Sequence, residues 1–268
     1  MDIRDFGDFV PAPTPNTIRS IFAMQQALLE KYVKIEKMIP YPVNIDAPSD
    51  QILLKDFIAR VTEELGEAYE SYLTLSVYKS QGTLTEERAL PLLYNFNEEL
   101  ADAIHFMVET MIISGITPNE LDKKLTEISF IEGYGMRVIG NTYDTIKGFL
   151  YEVMHFPTLE DPGIKLPIED DNCFIQGGRV LSAQMDIHMS LLMWKVTYFL
   201  QIARNSLKNK PWKQSQMLSD HKTFTTNIIF AFITLVGLCE EVGMDEHCFY
   251  NVYHAKNQVN LFRINSKY

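Results

Sequence analysis

No stretch of this chain alternates apolar and polar residues as a half-buried strand must, whereas apolar residues recur at helical spacing along most of it. That pattern predicts an all-α fold. From Thr17 to about Lys37 the series is Ile18, Ile21, Phe22, Leu28, Leu29, Tyr32 and Ile35. The loop IPYPVNIDAPSD follows, rich in Pro, Asp, Asn and Ser turn formers. Two long helices are then expected, from about Gln51 to Lys79 and from about Glu86 to Ser114. The second has a marked stop. Gly115 suits the left-handed position after a helix, Thr117 can cap the next helix, Pro118 fits its first turn, and Glu120 completes a capping box. Residues 1–16 are Pro-rich and irregular.

The second half repeats this plan at an offset of 128 residues. Thr17-Ile18-Arg19 falls on Thr145-Ile146-Lys147, Leu65 on Met193 and Ala68 on Val196. Gly115-Ile116 falls on Gly243-Met244, and Asp245 stands where Thr117 caps. The expected architecture is a helical bundle built from a duplicated four-helix-type unit. Its halves are 1–135 and 136–268, joined in one compact composite domain. A Pro-, Gly- and Asp-rich linker at roughly 157–180 corresponds to the loop at 39–50.

Composition narrows the class of function. With 46% apolar and 22% charged residues among 268, the chain can bury a real core. A net charge of −11 argues against gripping a nucleic-acid polymer, which takes basic surface to displace counterions. An acidic protein can still bind a polyphosphate when divalent cations lie between the two. No apolar run approaches a membrane span, and the start MDIRDFGDFVPAPTPN is unlike a signal peptide. Cys173, Cys239 and Cys248 lack metal-ligand spacing and read as reduced thiols, which fits a cytoplasmic protein.

The chemistry lies in two acidic pairs. EELGEAYE at 63–70 sets Glu64 and Glu67 on one helix face, and NEELADAIHF at 97–106 does the same for Glu99 and Asp102. Each pair sits among apolar residues: Val61, Leu65, Ala68 and Tyr72 around the first, Leu100, Ala103, Ile104 and Phe106 around the second. If the two helices pack antiparallel, four carboxylates converge. Arg60 is the one basic residue close by, and one guanidinium cannot balance four carboxylates. Such a cluster must be protonated, paired or bound to cations. All-oxygen ligation suits magnesium or manganese. Glu63, Glu70 and Glu98 read as solvated charges, and His105 as a structural hydrogen-bonding residue. Near the C-terminus Lys256, Asn260 and Arg263 share a helix face suited to phosphate.

These motifs resemble the all-α nucleotide pyrophosphatase superfamily, which includes MazG-like enzymes and the dimeric dUTPases. Its EExxE and ExxD signatures stand here as Glu63-Glu64-Leu65-Gly66-Glu67 and Glu99-Leu100-Ala101-Asp102. The continuation Ala103-Ile104-His105-Phe106 is similar to the dimeric dUTPase branch. So is Tyr253-His254-Ala255-Lys256-Asn257-Gln258-Val259-Asn260-Leu261-Phe262-Arg263, which also resembles the end of phage dCTP/dUTP pyrophosphatases. Met24-Gln25-Gln26-Ala27-Leu28 resembles a family helix bearing a base-contacting glutamine.

The resemblance implies that Glu64, Glu67, Glu99 and Asp102 hold magnesium. It implies that Lys256 and Arg263 contact phosphates, and that Asn257 and Asn260 contact sugar or phosphate. Gln25 would read the base and Phe106 would stack near it. The implied activity is hydrolysis of dUTP, or of dCTP, to monophosphate and pyrophosphate, with Glu64 or Glu67 taking the proton from water. A homodimer and a viral role in clearing a nucleotide pool follow from the same relatives. One departure is that Ser80-Gln81-Gly82-Thr83 stands where the family often has a Trp-Lys-rich segment; the similar Asn209-Lys210-Pro211-Trp212-Lys213 lies in the second half.

Offset by 128, Glu64 falls on Leu192, Glu67 on Lys195, Glu99 on Asn227 and Asp102 on Phe230. Lys256 falls on Ile128, Asn257 on Ser129 and Asn260 on Glu132. Each half thus keeps what the other lacks, and a single composite site is expected. Three rivals remain: a relative acting on another nucleotide, a di-iron bundle, and a nucleotide-binding protein without turnover. The di-iron class needs two Glu-x-x-His motifs, and Asp102-Ala103-Ile104-His105 is the only near match.

Overall fold

The computed structural model describes residues 16–36, 40–131, 142–152, 183–209 and 217–266. Among them every regular element is a helix: α1 (Thr17–Glu36), α2 (Pro48–Ser80), α3 (Glu86–Ile113), α4 (Pro118–Ile131), α5 (Thr142–Glu152), α6 (Ala183–Ser206), α7 (His221–Glu241) and α8 (Glu246–Ser266). The fold is therefore all-α. The N-terminal Pro-rich segment, the linker at 157–180, Cys173 and the Trp212 stretch lie outside the described residues.

Local chemistry accounts for the boundaries. α2 begins three residues before the expected Gln51, because Pro48 occupies its first turn, where no backbone donor is needed. Just past its end comes Gly82, whose φ of 65° is the left-handed region a glycine enters freely. α3 stops before Gly115 at φ 84°, and the Ile116 amide then returns 2.8 Å to the Met111 carbonyl. Thr117 Oγ1 accepts from the Glu120 amide at 3.2 Å and so caps α4.

α2 and α3 form one long hairpin, and α6 and α7 form another. α1 packs against α3 and α8, while α5 packs against α7 and α4. The first helix of each half thus leans on the last helix of the other. One apolar core runs through both halves, from Ile18, Leu54 and Leu100 to Phe232, Phe249 and Val259.

α7 corrects one expectation. It is long and apolar enough, by length and composition, to cross a membrane. Its residues 231–239 are all buried against the rest of the bundle, the position of a central core helix.

The loop after α1 is tied to the connection between α6 and α7. Asp46 accepts from the Ser219 amide at 2.8 Å and meets His221 Nε2 at 2.9 Å. Gln51 Nε2 donates to the Ile45 carbonyl at 2.8 Å and to Ser219 Oγ at 2.9 Å. These bonds fix the entry of α2, the helix that carries the first acidic pair.

Candidate functional site

Glu64 and Glu67 project from α2 one turn apart, and Glu99 meets them from α3. One carboxylate oxygen from each lies within 4.8 Å of the other two. Val61, Leu65 and Ala68 of α2 and Leu100 and Ala103 of α3 are buried beneath them. The cluster therefore stands on an apolar floor at the edge of the hairpin, with Glu67 exposed and Glu64 and Glu99 half-buried.

This placement is electrostatically costly. Glu64 and Glu99 are hydrogen-bonded to each other, and two ionised carboxylates cannot do that without a proton. Burial pushes Glu99 up to about 8, with the charge of Asp102 and the contact with Glu64 adding to it. Glu64 is raised by burial and then by Asp102, against the pull of its bond to Glu99. Among the described residues no ion pair reaches Glu64, Glu67 or Glu99. Arg60 faces elsewhere: it pairs with Asp56 at 2.9 Å and lies 5.0 Å and 5.5 Å from the Phe57 and Phe106 ring centres.

These residues fit a hard divalent cation. The donors are all carboxylate oxygens, and an octahedral magnesium site spans about 4 Å between opposite ligands. Small side-chain adjustments from a 4.8 Å cluster reach that size.

The fourth expected ligand is held differently. Asp102 Oδ2 lies 2.6 Å from the Lys256 ammonium, which also donates to Glu98 Oε1 at 2.9 Å. Lys256 comes from α8, so the second half does reach the acidic face of the first. Its side chain is only 5% exposed. Burial works to lower the lysine, but Asp102 and Glu98 outweigh it and keep it charged. Burial raises Asp102 even against Lys256, and the charge of Arg263 also reaches it.

The remaining residues of the C-terminal motif are graded in exposure. Asn257 is buried and its amide nitrogen has no hydrogen-bond partner; Asn260 is half-buried and Arg263 exposed. A buried donor left unmade is costly, and a ligand oxygen is one way to satisfy it.

Gln25, expected to read a base, is 1% exposed. Its Oε1 accepts from the Tyr253 hydroxyl at 2.6 Å and lies 2.9 Å from His105 Nδ1. His105 stacks on the Tyr253 ring at 3.9 Å between centroids, and its Nε2 lies 3.2 Å from the Tyr253 carbonyl oxygen. Burial drives this imidazole down to about 3, so it stays neutral. The structural reading of His105 agrees with this position. Gln25 joins α1, α3 and α8 in the interior. Phe106 is half-buried, 6.4 Å from Phe57, with Arg60 over both rings.

Sequence reasoning misses two residues here. Glu98 reads as a solvated charge, yet it is half of the cradle for Lys256. Its position one turn before Asp102 is the available signal. Tyr253 stands out only as part of a motif, and no local pattern pairs it with Gln25. Compared with known proteins, the chain matches no family model, no curated protein and no solved structure.

Proposed function

We propose that this chain is a magnesium-dependent nucleoside triphosphate pyrophosphatase acting on dUTP, with dCTP as the neighbouring substrate. The observation that carries the reading is the convergence of Glu64, Glu67 and Glu99 within 4.8 Å, with no ion pair among the described residues, beside a buried lysine from the other half. The motif resemblance narrows the substrate to these two nucleotides.

In this reaction the bond between the α- and β-phosphates breaks, and water supplies a hydroxyl to one fragment and a proton to the other. Bound by Glu64, Glu67 and Glu99, a divalent cation supplies charge neutralisation of the polyphosphate and a lowered pKa for the attacking water. Glu67, the most exposed of the three, is well placed to take the water's proton, with Glu64 as the alternative. Lys256 and Arg263 offer positive charge to phosphate oxygens as charge builds on them. Asn257 offers its unpaired amide donor.

The test is pyrophosphate release from a panel of deoxynucleoside triphosphates with magnesium, run beside Glu64→Ala. Release from dUTP or dCTP that vanishes in the variant supports the reaction and its cation site together. Release from another nucleotide alone moves the substrate. One observation favours a second reading, nucleotide binding without turnover: Asp102 is already engaged by Lys256. Binding of a nucleotide with no release from any member of the panel would select it.

A further inference from the structure

Asp102 stands between two cationic claims. It faces the Lys256 ammonium at 2.6 Å. It also follows Glu99 by three residues on the same face of α3, which sets it beside the carboxylate cluster, and its charge raises both Glu64 and Glu99. Glu98 is one turn before it on α3 and holds the same ammonium at 2.9 Å. The two carboxylates differ in what they can endure alone. Glu98 is 37% exposed and keeps much of its hydration, whereas Asp102 is 20% exposed and needs a cation.

Resting on the pyrophosphatase reading, we propose that Lys256 is a built-in competitor for the divalent cation at Asp102, with Glu98 as the residue that holds the ammonium when Asp102 is given up. A divalent ion at Glu64, Glu67 and Glu99 gains a fourth oxygen by taking Asp102. The ammonium and the ion repel each other, so both cannot keep the same carboxylate at close range. Residues four apart on a helix are separated by about 6 Å along its axis. The ammonium is already 2.9 Å from Glu98 Oε1, so it can leave Asp102 and keep that contact. The ammonium then remains on Glu98, beside the cluster. Glu98 is in this sense a positioning residue: it touches Lys256 and acts through it.

The arrangement sets opposite signs for two neighbouring residues. Removing the ammonium frees Asp102 and tightens cation binding. Removing the Glu98 charge throws the whole ammonium onto Asp102 and weakens it. A plain electric field gives the same signs, so the discriminating feature is that both effects pass through Asp102.

Calorimetric titration of manganese into the nucleotide-free full-length protein reads this without turnover. Lys256→Met is expected to bind manganese about ten-fold more tightly than the unaltered protein, and Glu98→Gln several-fold more weakly. In an Asp102→Asn background both effects should shrink to within about two-fold. Effects of equal size in that background, or none in the single variants, overturn the proposal. Thermal unfolding shows whether Lys256→Met folds, since it leaves Asp102 without its partner. If it does not, Glu98→Gln with and without Asp102→Asn carries the decision, because Glu98 is the more exposed residue. No manganese binding by the unaltered protein sinks the cation site at Glu64, Glu67 and Glu99 instead.

Discussion

The hairpins α2–α3 and α6–α7 end in the same turn and share little of their chemistry. Gly115 sits at φ 84° and Gly243 at φ 86°. The Ile116 amide returns to Met111 at 2.8 Å, and the Met244 amide to Cys239 at 2.9 Å. Thr117 caps α4 through the Glu120 amide, and Asp245 caps α8 through the Cys248 amide at 2.9 Å. The two turns lie 128 residues apart, at the offset of the expected repeat. Yet where the first hairpin carries Glu64, the second carries Leu192, 2% exposed. Phe230 stands in place of Asp102 and packs on Phe199 at 5.3 Å. The backbone plan is thus separable from the acidic face. The second hairpin serves as core, and α8, which follows it, packs on α1 and α3 and brings Lys256 to the acidic face.

Four measurements test this contrast. Glu64→Ala should lower pyrophosphate release by roughly 10³-fold, about 4 kcal/mol of barrier. Its melting temperature without magnesium should change little, because the bond it loses to Glu99 is offset by relief of the burial of Glu64 and of its repulsion by Asp102 and Glu67. A large loss of stability would make Glu64 a structural residue and erase the distinction between the hairpins. The converse change, Leu192→Glu, puts an unpaired carboxylate into the core and should cost about 3 kcal/mol. Denaturant unfolding reads it, and a neutral result would mean that the second hairpin tolerates the acidic face too.

The third is a pH effect confined to the first hairpin. Glu99 titrates at about 8 in the folded chain, against an ordinary value of 4.5. Between these values the folded chain holds a proton that the unfolded chain has released, so stability without a divalent ion falls as pH rises through this window. Cation binding needs that proton gone and strengthens with pH. Below about pH 6.5 the neutral His105 works in the opposite sense, so the fall in melting temperature without magnesium should show between about pH 6.5 and pH 8.5, and magnesium should reduce it. A flat profile without magnesium would remove the electrostatic case for the cluster.

The smallest effects should be alike in the two halves. Gly115→Ala and Gly243→Ala each place a side chain at positive φ and should cost about 1 kcal/mol. The first also brings a Cβ to 3.3 Å from Pro42 Cβ. A large cost at one turn and none at the other would contradict their equivalence.

Much of this is legible in the order of the residues alone. The helical periodicity, the stop at Gly115, the Thr117 cap and the two acidic pairs are relations between residues no more than a turn or so apart. Such relations are written into the chain locally. So is the expectation that the acidic pairs meet, because two long helices joined by a short turn have few other ways to pack. The structure brings Glu64, Glu67 and Glu99 together as expected and gives Asp102 to Lys256 instead.

Local patterning is enough for the helical class, the caps and the faces on which the carboxylates and the C-terminal cation lie. The tertiary structure alone decided that Gln25 is interior, that Glu98 shares Lys256 with Asp102, and that Arg60 turns to Phe57 and Phe106. The physical reason is distance along the chain. A periodicity records which face a residue occupies. The partner on that face, and with it the charge, hydration and protonation of the residue, is set by a helix that arrives from elsewhere in the sequence.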